Sequence, residues 1–232
     1  MQLYEIKQIL DEKEKAVFSL NEIARIIGKP KNIACVYLNR MYKKNLLFKI
    51  EKNKFSRTRD IFVIASQLTF PSYLGLTTSL YLQNEYSPII NKLYILTPKQ
   101  KKKINVFDTE INFIRVAPSL MFGYKKIKKE NSYILISDME KTIIDSILYQ
   151  RYTRITNQIE LIKNADIDKL LDYTKKIDKE ILTRKIGFLL DLAGIHHDLK
   201  VNTKTIYKFN SGITQKGTFN NKWRLYVNEV FE

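Results

Sequence analysis

Apolar positions near the start of the chain return with the period of a helix. Leu3, Ile6, Ile9 and Leu10 share one side while Glu5, Lys7, Asp11, Glu12 and Glu14 take the other, which predicts an amphipathic helix through Lys15. Ala16-Val17-Phe18 reads as an apolar link. Ser19 with Glu22 three positions on forms a capping box, and Leu20, Ile23, Ala24 and Ile27 give the helix it opens one buried face, with Gly28 as its left-handed stop. Pro30 suits a first helical position, where its missing N–H is not needed. A third helix follows over Lys31–Lys44, with Asn45 as its stop.

This third helix divides cleanly. Ala34, Leu38 and Met41 fall at i, i+4 and i+7 and face the first two helices, whereas Asn32, Cys35, Asn39, Arg40 and Lys43 lie on the opposite side. Two β-rich runs come next, Leu46–Ile50 and Asp60–Ala65. They bound a loop from Glu51 to Arg59 whose tip is expected to hold Lys52, Lys54, Arg57 and Arg59. Three helices and a basic hairpin in that order predict a winged helix-turn-helix over residues 1–66.

Beyond a joint at Ser66–Pro71 the pattern alternates. Ser72–Leu82 reads as a buried helix, and Lys92–Thr97, Ile111–Val116 and Tyr133–Ile136 as strands. Ser137 and Glu140 repeat the capping box before a helix through Met139, Ile143, Ile144, Ile147 and Leu148. Helices are expected near Asn157–Asn164, Asp166–Lys175 and Lys179–Ala193, the last stopped by Gly194, and strand-like runs near Thr205–Phe209 and Lys222–Val227. The chain is therefore expected to be α+β (mixed α/β), with the winged helix-turn-helix followed by a larger mixed α/β domain over 67–232.

Charge sharpens this picture. The 232 residues carry a net charge of +16, and such a field attracts polyanions and gains from counterion release. Residues 1–66 hold 14 basic and 7 acidic side chains against 26 and 17 in the rest, so the first part is about twice as basic per residue. Between Lys29 and Arg59 a single acid, Glu51, accompanies Lys29, Lys31, Arg40, Lys43, Lys44, Lys49, Lys52, Lys54, Arg57 and Arg59. Asn pairs with adenine and Arg with guanine through two hydrogen bonds each, so Asn32, Asn39 and Arg40 have the chemistry to read bases of double-stranded DNA. Lys29, Lys31, Lys43, Lys44 and the hairpin cations suit phosphates or a minor groove. Richness in Lys, Ile, Asn and Tyr is also what an AT-rich genome produces, so part of the basicity elsewhere carries no function. Lys99, Lys101, Lys102 and Lys103, with Lys125, Lys126, Lys128 and Lys129, are either solvated loop charge or a second nucleic-acid surface.

Other chemistry is thin. No run of about 18 apolar residues marks a membrane span, the N-terminus has no signal-peptide layout, and a cytoplasmic protein is expected. The one cysteine, Cys35, excludes an internal disulfide and a cysteine-cluster metal site. Asp138, Glu140, Lys141 and Asp145 are the residue types of a metal nuclease, but their spacing assigns Asp138 and Glu140 to helix capping. Lys141 and Asp145 then form a surface i, i+4 pair worth on the order of a few tenths of a kcal/mol. His196-His197-Asp198 reads as a loop, since adjacent histidines rarely share a metal and no third exists. Trp223, in an alternating apolar run, is read as core. No catalytic residue, metal or cofactor is expected.

The motif order resembles the AbiEi antitoxins. The likeness runs through Leu38-Asn39-Arg40-Met41, Lys43-Lys44-Asn45-Leu46-Leu47, Pro71-Ser72-Tyr73, Leu93–Lys99, Phe122-Gly123 and Ser137–Asp145 to Arg184–Leu190 and Lys222–Asn228, nearly the whole chain. Asn45 stands where many such winged helices have Gly, and Tyr73-Leu74-Gly75-Leu76 departs from the usual Ser-His after Pro-x-Tyr. The resemblance implies a non-enzymatic antitoxin of a type IV toxin–antitoxin system, often tied to phage defence. Its winged helix would act as a transcriptional repressor on repeats in its own promoter, and its C-terminal domain would counter a nucleotidyltransferase-like toxin without a stable complex. The alternative is a stand-alone winged-helix transcriptional regulator with a ligand-sensing or dimerisation domain.

Overall fold

The structure, a computed structural model, describes residues 2–83, 91–152, 158–229 and 231. Its first elements are helix α1 (Leu3–Asp11), strand β1 (Val17–Ser19), helices α2 (Leu20–Ile26) and α3 (Lys31–Lys43), and strands β2 (Phe48–Glu51) and β3 (Lys54–Ser56). Ile6 and Leu10 of α1 and Ala34, Leu38 and Met41 of α3 are fully buried in one cluster with Ile23, Leu47 and Phe55. The capping box forms as the sequence predicts: Ser19 Oγ accepts from the Glu22 N–H at 3.3 Å, and Glu22 accepts from the Ser19 N–H at 2.8 Å. Both helix stops are Schellman turns. The Lys29 and Gly28 N–H groups return to the Ala24 and Arg25 carbonyls, and those of Leu46 and Asn45 to Met41 and Tyr42, with Gly28 and Asn45 at positive φ. Pro30 is the N-cap of α3, one position before the one expected.

Ala16-Val17-Phe18 is more than a link. Val17 to Ser19 pair antiparallel with β3, which also pairs with β2, giving the sheet order β1-β3-β2. The hairpin is shorter than predicted, because Lys52-Asn53 alone turns it, and Asp60–Ala65 is no strand. That run belongs to helix α4 (Ile61–Gln67), whose first N–H groups, Phe62 and Val63, donate to Asp60 Oδ1 at 2.9 and 3.1 Å. A short apolar run cannot be assigned by periodicity alone, and here the capping aspartate decides it.

Helix α4 packs on strands β4 (Tyr73–Leu74) and β5 (Lys92–Thr97). With α5 (Thr77–Leu82) following β4, the expected helix over Ser72–Leu82 is a strand and then a helix. Strands β6 (Ile104–Val106), β7 (Thr109–Arg115), β8 (Tyr124–Lys129) and β9 (Ser132–Ser137) complete a six-stranded sheet of order β6-β7-β5-β4-β9-β8. β5 and β7 run parallel in register from Lys92↔Glu110 to Thr97↔Arg115, while β4 is antiparallel to β5 and parallel to β9.

The remaining elements are α6 (Met139–Leu148), α7 (Gln158–Lys163), α8 (Ile167–Ile177), α9 (Glu180–Leu192), β10 (Tyr207–Lys208), β11 (Thr218–Asn220) and β12 (Leu225–Val227). Asn157, the expected start of a helix, lies outside the described residues. Leu80, Ile143, Ile147, Leu161, Leu170, Ile186, Leu189 and Trp223 belong to one buried cluster. The α+β class is as the sequence predicts, and among the described residues no helix is long and apolar enough to cross a membrane.

By compactness the described chain forms two units. One holds residues 2–74, 91–121 and 125–136; the other holds 75–83, 122–124 and the rest from 137. The division therefore runs elsewhere than between 66 and 67. In the second unit Gly187 of α9 lies under the Trp223 ring, so close that a Cβ there would come within 2.1 Å of the indole. Gly187→Ala is expected to lower stability by about 1–3 kcal/mol through overpacking. Urea unfolding followed by the fluorescence of Trp223, the one tryptophan in the sequence, measures it.

Candidate nucleic-acid interface

The outward side of α3 is open. Asn32, Asn39, Arg40 and Lys43 are exposed, as are Lys31 at the start of the helix, Lys44 just after it and Lys29 before it. Among the described residues none of these five lysines and arginines just named at 29, 31, 40, 43 and 44 has an ion-pair partner, and the helix carries no acid in its first turn. Arg25, Gly28, Lys29, Pro30 and Lys31 line a shallow recess at the α2–α3 turn, where cations and backbone stand together. Asn39 donates to Cys35 Sγ at 3.8 Å, a weak contact that leaves the amide oxygen available. The opposite side is sealed by Ala34, Leu38 and Met41, so the helix has one face to offer.

The hairpin cations are placed differently from the expectation of a four-residue tip. Lys52 alone sits in the turn and is exposed. Lys54 is on β3, where its ammonium meets Glu51 at 3.0 Å and donates to the Leu68 carbonyl. Arg57 donates to the carbonyls of Lys13 at 3.1 Å and Lys15 at 3.4 Å, and also to that of Asn131. The Arg59 guanidinium lies over Phe48 and Phe107, 5.3 and 5.0 Å from the ring centres. Lys54 and Arg57 thus bind backbone carbonyls of their own protein, whereas Arg59 rests on two rings and stays exposed.

The two lysine clusters are partly neutralised. Lys101 meets Glu51 at 2.5 Å, Lys103 meets Glu110 at 2.6 Å, Lys126 meets Glu14 at 2.6 Å and Lys129 meets Asp60 at 2.9 Å. Burial lowers the Lys101 pKa more than Glu51 restores it, whereas the Glu51 carboxyl, despite its own burial, is held low by Lys101 and Lys54. Residues 125–129 form strand β8, not a loop. Lys99, Lys102, Lys125 and Lys128 remain exposed and, among the described residues, without an ion-pair partner.

In the second unit the carboxylates considered for metal chemistry do structural work. Asp138, and not Ser137, caps α6, accepting from the Lys141 N–H at 2.8 Å. Its other oxygen accepts from the Tyr173 hydroxyl at 2.9 Å and meets Lys169 at 3.0 Å. Glu140 does not close the capping box; it meets Lys169 at 2.9 Å and accepts from the Asp166 N–H at the start of α8. Desolvation works against the Lys169 charge, yet the bonds to Glu140 and Asp138 outweigh it and raise its pKa. Burial and Asp138 push the Tyr173 phenol up to about 12. Gly123, at φ +68, hands its carbonyl to the Asp138 N–H, and a Cβ there would come within 2.9 Å of Lys141 and Tyr173. Lys141 and Asp145 are not a surface pair: both are fully buried and in direct contact, with burial lowering the lysine pKa against the pull of Asp145.

His197 contacts Asp191 at 3.2 Å, and Asp191 also accepts from the Trp223 indole N–H at 2.6 Å. Arg184, fully buried, donates to the Trp223 carbonyl at 2.9 Å. Among the described residues no cluster of His, Cys, Asp and Glu has the arrangement to hold a metal ion. Compared with protein-family models and with curated proteins, the chain matches none.

Two outcomes follow from this electrostatics. Partial burial opposes the Glu22 charge, but hydrogen bonds from Lys15 and Ser19 win and lower its pKa from 4.5 to about 2. A carboxyl depressed in the folded state stabilises above its unfolded pKa and loses that contribution as pH falls. The stability gap between the native chain and Glu22→Gln is therefore expected at pH 6 and should close between pH 4.5 and pH 2, as thermal unfolding across that range reports. Lys141→Met strands the Asp145 charge in the interior and is expected to cost about 3–5 kcal/mol, while adding Asp145→Leu recovers most of it. Urea unfolding of both variants measures the pair.

Proposed function

We propose that the chain is a DNA-binding repressor of the antitoxin type resembled by its motifs. In this reading α1 to α3 with the β1-β3-β2 sheet are a winged helix-turn-helix, α3 enters the major groove of promoter repeats, and Lys52 at the short wing touches backbone. The observation that carries it is the outward face of α3: Asn32, Asn39, Arg40 and Lys43 exposed together, with no acid among them, on a helix whose other face is sealed. The part of the chain beyond this bundle is assigned the countering of a nucleotidyltransferase-like toxin, without a stable complex and without catalysis of its own.

A second reading, a regulator that senses a small molecule, is favoured by one feature. Within the first unit a groove of about 500 Å³ is lined by Lys15, Lys54, Gln67, Phe70, Lys99 and Tyr133, which combines cations with two aromatic rings. Co-expression with the neighbouring gene separates the readings: rescue from toxicity supports the antitoxin, and a harmless neighbour supports the sensor.

DNA binding has its own test. Footprinting on the DNA upstream of the gene should reveal protected repeats, with a log-log salt slope of about −0.9 per neutralised phosphate. Asn39→Ala with Arg40→Ala should flatten the difference between specific and random duplexes, and Lys52→Ala should weaken both equally and reduce the slope by about 1. Arg57→Ala should lower the melting temperature and leave the slope unchanged. A slope that falls with Arg57→Ala would return this residue to the DNA surface.

A further inference from the structure

The polar face of α3 has an apolar centre. Val36 is 46% exposed and Ile33 41% exposed, on a helix whose inward face is taken by Ala34, Leu38 and Met41. At the helical period Asn32, Val36, Asn39 and Lys43 form one outward row, with Arg40 beside it, so Val36 is flanked by an amide on either side along the axis. Single exposed apolar side chains are ordinary on a protein surface. This one is distinguished by its position, in the middle of the face that carries the amides and the unpaired cations.

Resting on the DNA reading above, we infer that Val36 reads the 5-methyl group of a thymine, with Asn32 or Asn39 taking an adjacent adenine. The branched γ-carbons of Val36 have no hydrogen-bond capacity, so the base feature they complement is apolar. In the major groove the thymine methyl is the apolar group that a base pair presents, and adenine offers N6 and N7 to an amide. The same pairing selects the type of nucleic acid. Uracil lacks the methyl, and the major groove of A-form RNA is too deep and narrow for side chains to read. Val36 therefore specifies duplex DNA containing a thymine next to an adenine, while Lys43 and the cations at 29 and 31 hold the helix in place.

The probe is a set of duplexes enriched by the full chain from a random-sequence pool, each thymine then replaced in turn by deoxyuridine, which deletes only the methyl. At one position the wild-type chain is expected to bind about four-fold more weakly, the worth of one methyl removed from water. Val36→Ala should bind the parent duplex weaker by a similar factor and show no further loss on that replacement. Val36→Thr, which keeps one γ-methyl, should retain part of the sensitivity. A wild-type chain indifferent to every replacement, or a Val36→Ala variant as sensitive as wild type, overturns the assignment and leaves DNA binding standing. Failure to enrich any duplex over background overturns the DNA reading and this assignment with it.

Discussion

The side-chain amide of Gln67 holds the first unit together. Its oxygen accepts from the Ala16 N–H at 2.7 Å and the Val17 N–H at 3.3 Å, and its nitrogen donates to Ser132 Oγ at 3.0 Å and the Tyr133 carbonyl at 2.8 Å. Ser132 in turn donates to the Glu14 carbonyl at 2.8 Å, and Arg57 ties the Lys13 and Lys15 carbonyls to that of Asn131. Backbone groups at the entry to β1 and at the start of β9 would otherwise face an interior without partners, which costs more than the net gain of an ordinary hydrogen bond. One amide supplies both. The helical bundle and the six-stranded sheet are compact together because the same few side chains satisfy the backbone of each.

That constraint governs what the hairpin can do. With Arg57 turned toward backbone carbonyls, Lys54 toward Leu68 and Arg59 against two aromatic rings, the hairpin contributes support, and among the described residues Lys49, Lys52 and Arg59 are its exposed cations without an ion pair. The second unit repeats the principle with ions. Lys169 bridges the cap of α6 and Glu140, Glu140 caps the entry to α8, and the glycines at 123 and 187 are fixed by the approach of Lys141, Tyr173 and Trp223. Much of what the residues of these motifs do in this half is therefore packing, which speaks for the fold before it speaks for an activity.

What the sequence revealed and what it concealed follow the range of the interactions. The Ser19–Glu22 box, the stops at Gly28 and Asn45, and the buried stripe Ala34–Leu38–Met41 depend on neighbours within a turn, and they were legible. Asp60–Ala65 looks like a strand because its β-branched content masks a cap whose partners are only two and three residues away. Lys141–Asp145 looks like a surface pair because its i, i+4 spacing suits an exposed helix face, yet every residue from Glu140 to Ile147 is buried. The acids that neutralise the lysine clusters, Glu14, Glu51 and Asp60, lie far off in sequence, and no local pattern announces them. Val36 does not stand out in the sequence, because the outward side of α3 is marked by its polar residues and an apolar one among them carries no periodic signal.

The distribution of unpaired charge bears on how such a protein would hold DNA. Acid partners meet Lys54, Lys101, Lys103, Lys126 and Lys129, and in the first fifty-odd residues most of the exposed cations without an ion pair stand on α3 and the turn before it. Under the proposed reading, one helix with a two-residue turn beside it would make a small contact, at the low end of the roughly 600–1,000 Å² that a single DNA-binding module buries. Contact of that size gives modest affinity and a short read of sequence. Repeated sites answer both shortfalls, since tethering or pairing two copies multiplies occupancy without a new contact. Under the proposed reading, the short hairpin is thus the physical reason to expect an operator built of repeats, with discrimination concentrated on the few bases that α3 would reach.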